Sequence, residues 1–148
     1  MAGSMRNRLP WQITGIQVVF SKPVIATSAG LTGLSVVGVT GSGTNTVTWT
    51  ISPVTNLPST VTKLLGTTAN AITDIAGNPL GGGTDYSQAL KVLWGDFNDD
   101  GIVNAQDLVL VNAARSQAYN IFADLNGDGV VDANDVNVVR AQLGNSNP

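Results

Sequence analysis

The chain has 148 residues and a formal net charge of −3, and it contains neither cysteine nor histidine. Without cysteine it cannot form disulfides or thiolate metal sites. Without histidine it lacks the commonest general base and the commonest transition-metal ligand. The sequence has no run of about 18 apolar residues that could span a bilayer and no basic stripe suited to nucleic acid, so we expect neither partner.

The charge divides the chain into two unlike parts. Residues 1–94 carry five Lys or Arg and two Asp (+3), and residues 95–148 carry two Arg and eight Asp (−6), which sum to −3. The opening MAGSM is typical of a vector remnant, so we set residues 1–5 aside and expect the rest to come from a longer protein. We predict one module over residues 6–94 and a second over 95–148.

Residues 12–94 have the pattern of short antiparallel strands. Turn residues recur at short spacing, and apolar side chains alternate with small or polar ones. The pattern predicts a small antiparallel β-sandwich, with strands near 13–20, 32–39, 46–52, 59–65, 69–74 and 86–93. The buried faces of two of these strands carry Ile16, Val18, Phe20, Val47, Trp49 and Ile51. In ITDIAGNPL, the residues Asp74, Gly77 and Asn78 favour a tight turn over a metal role.

Two acidic stretches, GDFNDDGIVNAQD (95–107) and ADLNGDGVVDAND (123–135), repeat the same pattern 28 residues apart. Numbered as twelve-position loops from Asp96 and Asp124, both have side-chain oxygens at positions 1, 3, 5, 9 and 12 and a glycine at position 6. Calcium takes six to eight oxygen ligands at roughly 2.3–2.6 Å, and this spacing surrounds an ion when the glycine allows a sharp turn. We predict two calcium ions, with position 7 contributing its carbonyl and position 9 acting directly or through water: Asp96, Asn98, Asp100, Ile102, Asn104, Asp107, Asp124, Asn126, Asp128, Val130, Asp132 and Asp135.

The alternative is a pair of Asx-rich turns that only cap helices. That alternative does not account for six positions recurring in register, or for several like charges within one loop. Loop 2 offers four carboxylates against three in loop 1, where Asp99 lies outside the ligand set, so we predict tighter binding at loop 2. The apolar Val103 and Val131 at position 8 predict a short antiparallel bridge between the loops.

A helical pattern follows each loop. In QDLVLVNAARSQA and NDVNVVRAQLG, the residues Leu108 and Val111 and their counterparts Val136 and Val139 are spaced to line one helix face. LVLV at 108–111 is more apolar than one core stripe needs. Val109 or Leu110 is therefore exposed, unless the neighbouring domain or the other helix covers it.

Loop then helix, twice, with Asp instead of Glu at position 12 and no amphipathic helix before either loop, resembles a dockerin module over residues 95–144. The resemblance implies an EF-hand-like calcium domain of a secreted bacterial protein that binds a cohesin module on a scaffold or cell surface, as in cellulosomes. FSKPV and ITDIAGNPL resemble the signatures of bacterial Ig-like modules. That second resemblance implies an Ig-like β-sandwich before the dockerin-like domain.

The dockerin resemblance also implies where a cohesin would bind, namely loop positions 10 and 11 and the helix positions beyond them. These positions carry Ala105, Gln106, Val109, Leu110, Asn112, Ala113, Ala133, Asn134, Asn137, Arg140 and Ala141. Alanine stands at position 10 where many cellulosomal dockerins have Ser or Thr, so the partner is not identified by these residues. Because the repeats differ at Val109/Asn137 and Asn112/Arg140, we predict a single binding orientation.

We therefore expect a non-catalytic, monomeric docking fragment from the C-terminal end of a larger secreted, surface-associated protein. A calcium-stabilised cap or stalk without a cohesin partner, or a carbohydrate-binding module, are the alternatives. Enzymatic acid–base chemistry is disfavoured because nearly every Asp is assigned to a metal loop, leaving only Asp74 and Asp85.

Overall fold

The computed structural model describes residues 6–147, so the predicted vector remnant at 1–5 lies outside the described residues. The chain clusters into two compact units. Of the described residues, the helical unit comprises 6–12, 54–59 and 91–147, and the strand unit comprises 13–53 and 60–90. The helical unit thus includes segments 6–12, 54–59 and 91–94, which the sequence pattern assigned to the first module.

The described chain is mostly antiparallel β-structure in its first part and has two helices near its end. The strands are β1 (Ile13–Ile25), β2 (Leu31–Thr32), β3 (Val36–Thr40), β4 (Thr44–Val54), β5 (Asn56–Leu64), β6 (Thr73–Asp74) and β7 (Tyr86–Leu93). The helices are α1 (Ala105–Ala114) and α2 (Ala133–Gln142). One sheet has the strand order β3-β4-β1-β6 and the other the order β2-β5-β7.

Two predicted strands differ from those observed. The segment predicted at 32–39 is divided into β2 and β3, because Gly33 between them has a φ of +91° that interrupts the strand. The strand predicted at 69–74 is only two residues long, since a turn occupies the residues before it. The other predicted strands are present, and β1 and β4 are longer than predicted.

The core of the strand unit confirms the predicted alternation. Trp49 is fully buried and donates its indole N–H to the carbonyl of Thr27 at 2.9 Å, which satisfies the one polar atom that this ring brings into a core. Side chains from both sheets and from residues next to their strands pack in the same cluster, namely Val24, Ala26, Leu31, Val47, Leu64 and Ile72. On the opposite face of β1, Val19 is 69% exposed.

The segment after β6 forms the predicted tight turn. The Asp74 carboxylate accepts hydrogen bonds from the Asn78 backbone N–H at 2.8 Å and from the Lys22 ammonium at 2.6 Å. Gly77 has a φ of +87°, a conformation that glycine adopts without strain. The Asp74 carboxylate is therefore engaged in hydrogen bonds that stabilise the turn.

The helical unit has its own apolar core. Val111 of α1 and Val136 and Val139 of α2 are buried in it, together with Leu93, Val103 and Leu125. Leu108 packs against this cluster, as the helical spacing predicts. Each helix has ten residues, and no helical segment within 6–147 has the length and apolar character needed to cross a bilayer.

Replacing the central core side chain should destabilise the strand unit far more than replacing an exposed one. We expect Trp49→Ala to lower the free energy of unfolding by about 3–5 kcal/mol, because it leaves a cavity among the packed side chains. Val19→Ala, on the solvent face of β1, should change it by less than about 0.5 kcal/mol. Urea unfolding followed by circular dichroism measures both, and equal losses would contradict the assigned core.

Candidate metal loops and docking face

Loop 1 (residues 96–107) is held together by the carboxylates at its two ends. Asp96 is fully buried and accepts hydrogen bonds from the backbone N–H groups of Asp100 at 3.2 Å and Gly101 at 3.0 Å. Asp107 is also fully buried and accepts from Phe97 at 2.9 Å, Asn98 at 3.1 Å and Asn104 at 2.9 Å. The two ends of the loop thereby fix the path of the backbone between them.

Loop 2 (residues 124–135) repeats this arrangement. Asp135 is fully buried and accepts hydrogen bonds from the backbone N–H groups of Leu125 at 2.7 Å, Asn126 at 3.2 Å and Asp132 at 2.8 Å. The buried Asp124 accepts backbone N–H groups from three residues within the loop, namely Gly127 at 2.8 Å, Asp128 at 3.1 Å and Gly129 at 2.9 Å.

The middle positions of the two loops also match. Asp100 accepts the Asn98 side-chain amide at 2.8 Å and the Ile102 backbone N–H at 2.9 Å. Asp128 accepts the Asn126 side-chain amide and the Val130 backbone N–H at the same distances, 2.8 and 2.9 Å. The sequence repeat is therefore also a repeat of local structure.

Each loop ends by starting a helix. Asn104 caps α1, where its side chain accepts the Gln106 N–H at 2.7 Å and Asp107 accepts the Asn104 N–H, which completes a capping box. Asp132 and Asp135 do the same for α2. Because these boxes satisfy otherwise unpaired N–H groups, the position 9 and 12 side chains both shape the loop and set the first turn of the helix.

The electrostatics of the two first-position carboxylates differ. Burial raises the pKa of the Asp96 carboxyl, and the nearby charges of Asp107 and Asp100 raise it further, against the hydrogen bonds that it accepts. Burial also acts to raise the pKa of Asp124, but hydrogen bonds from the Tyr119 hydroxyl and three backbone N–H groups outweigh it and lower the pKa. A cation bound in loop 1 would offset the repulsion among its three ligand carboxylates.

The donor chemistry of both loops fits calcium. Every predicted ligand atom is an oxygen, and hydrogen bonds within each loop link positions 1, 3, 5, 9 and 12. Hard cations prefer such all-oxygen sets. Within residues 6–147 no three acidic side chains form a preassembled metal cluster, and the carboxylates point to backbone N–H groups instead.

The predicted bridge between the two loops is wrong. Ile102 of loop 1 forms an antiparallel bridge with Ser146, and Val103 exchanges backbone hydrogen bonds with Asn145 at 2.8 Å and Gly144 at 2.9 Å. The segment that follows α2 therefore supplies the N–H and C=O groups that the prediction assigned to Val131. Val103 is fully buried, whereas Val131 is only half-buried.

The residues before β1 support loop 1, a role that sequence reasoning missed. Asp99, with φ at +65°, accepts the backbone N–H groups of Asn7 at 2.7 Å and Arg8 at 3.0 Å. The buried Arg8 donates its Nε to the carbonyl and side-chain oxygens of Asn147 at 2.9 and 2.8 Å. The only sequence signal for this network was a pair of arginines in a chain with few cations.

Arg6 joins loop 1 to the segment before loop 2. Its guanidinium donates to the carbonyls of Asp96 and Phe97, each at 2.7 Å. It also lies 4.9 Å from the ring centroid of Phe122, which stacks on Trp11 at 5.4 Å. Burial lowers the pKa of Arg6.

The predicted contact residues lie on the exposed surfaces of α1 and α2. Val109 is 66% exposed and Leu110 36% exposed, as expected from the excess apolar character of α1. The other nine predicted contact residues are exposed as well, namely Ala105, Gln106, Asn112, Ala113, Ala133, Asn134, Asn137, Arg140 and Ala141. A shallow groove of about 200 Å³ between the helices is lined by Leu108, Val109, Asn112, Val136 and Arg140.

Comparison with known proteins identifies the loop–helix repeat. The sequence profile of the Dockerin type I domain matches residues 94–144. The match indicates a non-catalytic docking domain in this part of the chain. Two similar solved structures are C-terminal and N-terminal interface mutants of a type II cohesin–X–dockerin complex from Acetivibrio cellulolyticus. They are 21% and 18% identical with TM-scores of 0.34 and 0.32, and each alignment covers 91% of this chain and 98% of the other. TM-scores this low do not establish a common fold, and the search of curated proteins found no match.

The position 6 glycines provide a test of how loop 1 is enclosed. Gly101 and Gly129 have nearly the same φ, +88° and +89°, but a Cβ at Gly101 would lie 2.9 Å from the Arg8 guanidinium, whereas at Gly129 it would meet nothing within 4 Å. Gly129→Ala should cost about 1–2 kcal/mol for the left-handed backbone alone. Gly101→Ala should cost more, because Arg8 is buried and cannot move freely. Chemical denaturation without added calcium measures both losses, and equal costs would contradict the enclosure.

Proposed function

We propose that residues 94–147 form a calcium-dependent docking module that binds a cohesin-type module on a scaffold or surface protein. The observation that carries this proposal is the in-register pair of oxygen-rich loops, each starting a helix, within the segment that matches the dockerin profile. The strand unit would be an Ig-like spacer in the same secreted protein.

The two loops would each bind one calcium ion in an EF-hand-type manner. Positions 1, 3, 5, 9 and 12 would supply side-chain oxygens, and position 7 would supply the carbonyl of Ile102 or Val130. Calcium would supply positive charge at the centre of each loop. The carboxylates that now accept backbone N–H groups are already ordered by burial, which reduces the entropy lost when an ion is bound.

Calcium would act on docking through the helix caps. Asp107 and Asp135 are both proposed ligands and the third residue of their helices, where they accept the N–H of the capping residue. An ion held at position 12 therefore stabilises the first helical turn, which presents Ala105 and Gln106 or Ala133 and Asn134. By mass action, calcium would stabilise the folded module by RT ln(1 + [Ca²⁺]/Kd) for each site, so stability would rise with the logarithm of the calcium concentration above Kd.

The exposed helix face would be the contact surface. Val109 and Leu110 place apolar area next to the groove between the helices, and Arg140 lines the same groove. In the second repeat, Asn137 stands where the first has Val109, so the two repeats present different surfaces. We propose one binding orientation centred on the first repeat, because that repeat exposes more apolar area and the burial of apolar area favours protein–protein association.

Calcium should bind the two loops unequally. With four ligand carboxylates against three, loop 2 should have the higher affinity, so Asp135→Ala should remove the tighter site and Asp107→Ala the weaker one. Isothermal titration of both variants alongside the unchanged chain measures the affinities. Tighter binding in the chain that retains only loop 1 would contradict the expected order.

Docking should require calcium and the first repeat. The immobilised chain should capture a cohesin-type protein from the secreted and surface proteins of its source, and chelation of calcium should release it. Val109→Asp should weaken binding to the captured protein by about tenfold or more, since it places a charge within an apolar contact. The equivalent change in the second repeat, Asn137→Asp, should have less than about a threefold effect, because a single rim charge contributes little.

Two outcomes would redirect this proposal. Equal losses from both variants would show that both repeats contact the partner, in place of a single orientation. Failure to capture any cohesin-type protein, with calcium still raising the melting temperature, would favour a calcium-stabilised cap or stalk that binds no such partner.

A further inference from the structure

Tyr119 lies in the segment that joins α1 to loop 2. Its ring and its hydroxyl group have different environments. The side chain is 57% exposed. Its hydroxyl nevertheless donates a hydrogen bond of 2.8 Å to Oδ2 of the buried Asp124. An exposed tyrosine has no need of a buried carboxylate as a partner, because water can satisfy its hydroxyl.

Loop 1 has no equivalent of this contact. The residue 28 positions before Tyr119 is Lys91, in β7. Within the described residues, the Asp96 carboxylate accepts only backbone N–H groups, from Asp100 and Gly101. The first-position carboxylates of the two loops therefore differ in one side-chain donor, the Tyr119 hydroxyl, and in one further backbone donor, the Gly127 N–H, both of which Asp124 accepts.

We propose that Tyr119 is a positioning residue for calcium in loop 2, holding the Asp124 carboxylate in its binding orientation and so giving loop 2 the higher affinity. This inference rests on the proposed calcium function. A phenol donating to a carboxylate forms a charge-assisted hydrogen bond, which is shorter and stronger than a neutral one. It fixes the side-chain rotamer of the proposed ligand before the ion arrives. Two donors on each Asp124 oxygen already fill its roughly four lone-pair sites, so a bound ion would replace one of the three backbone N–H donors while the Tyr119 hydroxyl stays.

The effect on affinity should resemble that of other groups that orient metal ligands. Loss of a hydrogen-bond partner behind a ligand typically weakens metal binding by about 10–100-fold. Because Asp124 retains three backbone donors when the hydroxyl is removed, we expect the lower end, about tenfold. The affinity of loop 1 should not change, since Tyr119 has no role there.

The test is Tyr119→Phe in the full chain, which removes one oxygen from an exposed ring. Calcium is titrated with a chelator buffer, and the NMR amide signals of Gly101 and Gly129 report the occupancy of loops 1 and 2 separately. The midpoint for Gly129 should move to about tenfold higher calcium, while that for Gly101 stays fixed. The control is Tyr86→Phe, where the residue is also 57% exposed and its hydroxyl, among the described residues, hydrogen-bonds only to the Gln88 side chain at 3.3 Å.

The unmodified chain provides an independent measurement. The ring signals of Tyr119 should shift in step with Gly129 and not with Gly101 as calcium is added. An unchanged Gly129 midpoint in Tyr119→Phe, or equal shifts at both glycines, would overturn the inference while leaving calcium binding intact. If neither glycine responds to calcium in the unmodified chain, the proposed calcium function is itself overturned, and the inference with it.

Discussion

The helical unit depends on how four buried carboxylates are accommodated. Asp96, Asp107, Asp124 and Asp135 are removed from water at the two ends of each loop, and an unpaired buried charge costs several kcal/mol. The chain meets this cost with backbone N–H groups from the loop and from the capping residue of the following helix. The path of each loop, the place of its glycine and the start of the following helix therefore all serve to bring backbone N–H groups to the buried carboxylates. A cation at the centre would complete this arrangement, because N–H groups reduce the repulsion among like charges without supplying a full opposite charge.

The two repeats share this arrangement but are supported differently. Around loop 1, both ends of the described chain converge: Arg6 binds two loop carbonyls, Asp99 binds the Asn7 and Arg8 backbone, and Asn147 accepts from Arg8. Around loop 2, a Cβ added at Gly127 or Gly129 would meet nothing within 4 Å. The additional hydrogen bond to this loop comes from the Tyr119 hydroxyl. The two loops of a duplicated sequence thus have different surroundings. These differences in surroundings lie almost entirely in residues outside the twelve-position loops. A count of the predicted ligands therefore describes only part of the difference between the loops.

Patterns with a short period were predictable from the sequence, and contacts between distant segments were not. Alternation placed Val47, Trp49 and Ile51 in the core, helical spacing placed Val111 and Val139, and the turn chemistry of Asp74 was correct. The loop backbone could be anticipated because each hydrogen bond joins residues within about one loop. The partner of Val103 could not, because Asn145 lies far along the chain and its residue type does not indicate pairing. The Arg8–Asn147 contact is more distant still, and asparagine near a chain end carries no periodic signal.

The exposed apolar side chains of α1 are connected to loop 1 through the start of the helix. The core of the helical unit is closed by Leu108 and Val111, so Val109 and Leu110 add nothing to it and remain at the surface. Exposed apolar side chains offer area that a binding partner can bury. Since α1 begins at the Asn104–Asp107 capping box, whatever orders loop 1 also orders the turn before these side chains. The acidic loop and the helix that carries the apolar face are thereby joined at one capping box, and under the proposed function the ion would set how that face is presented to the partner.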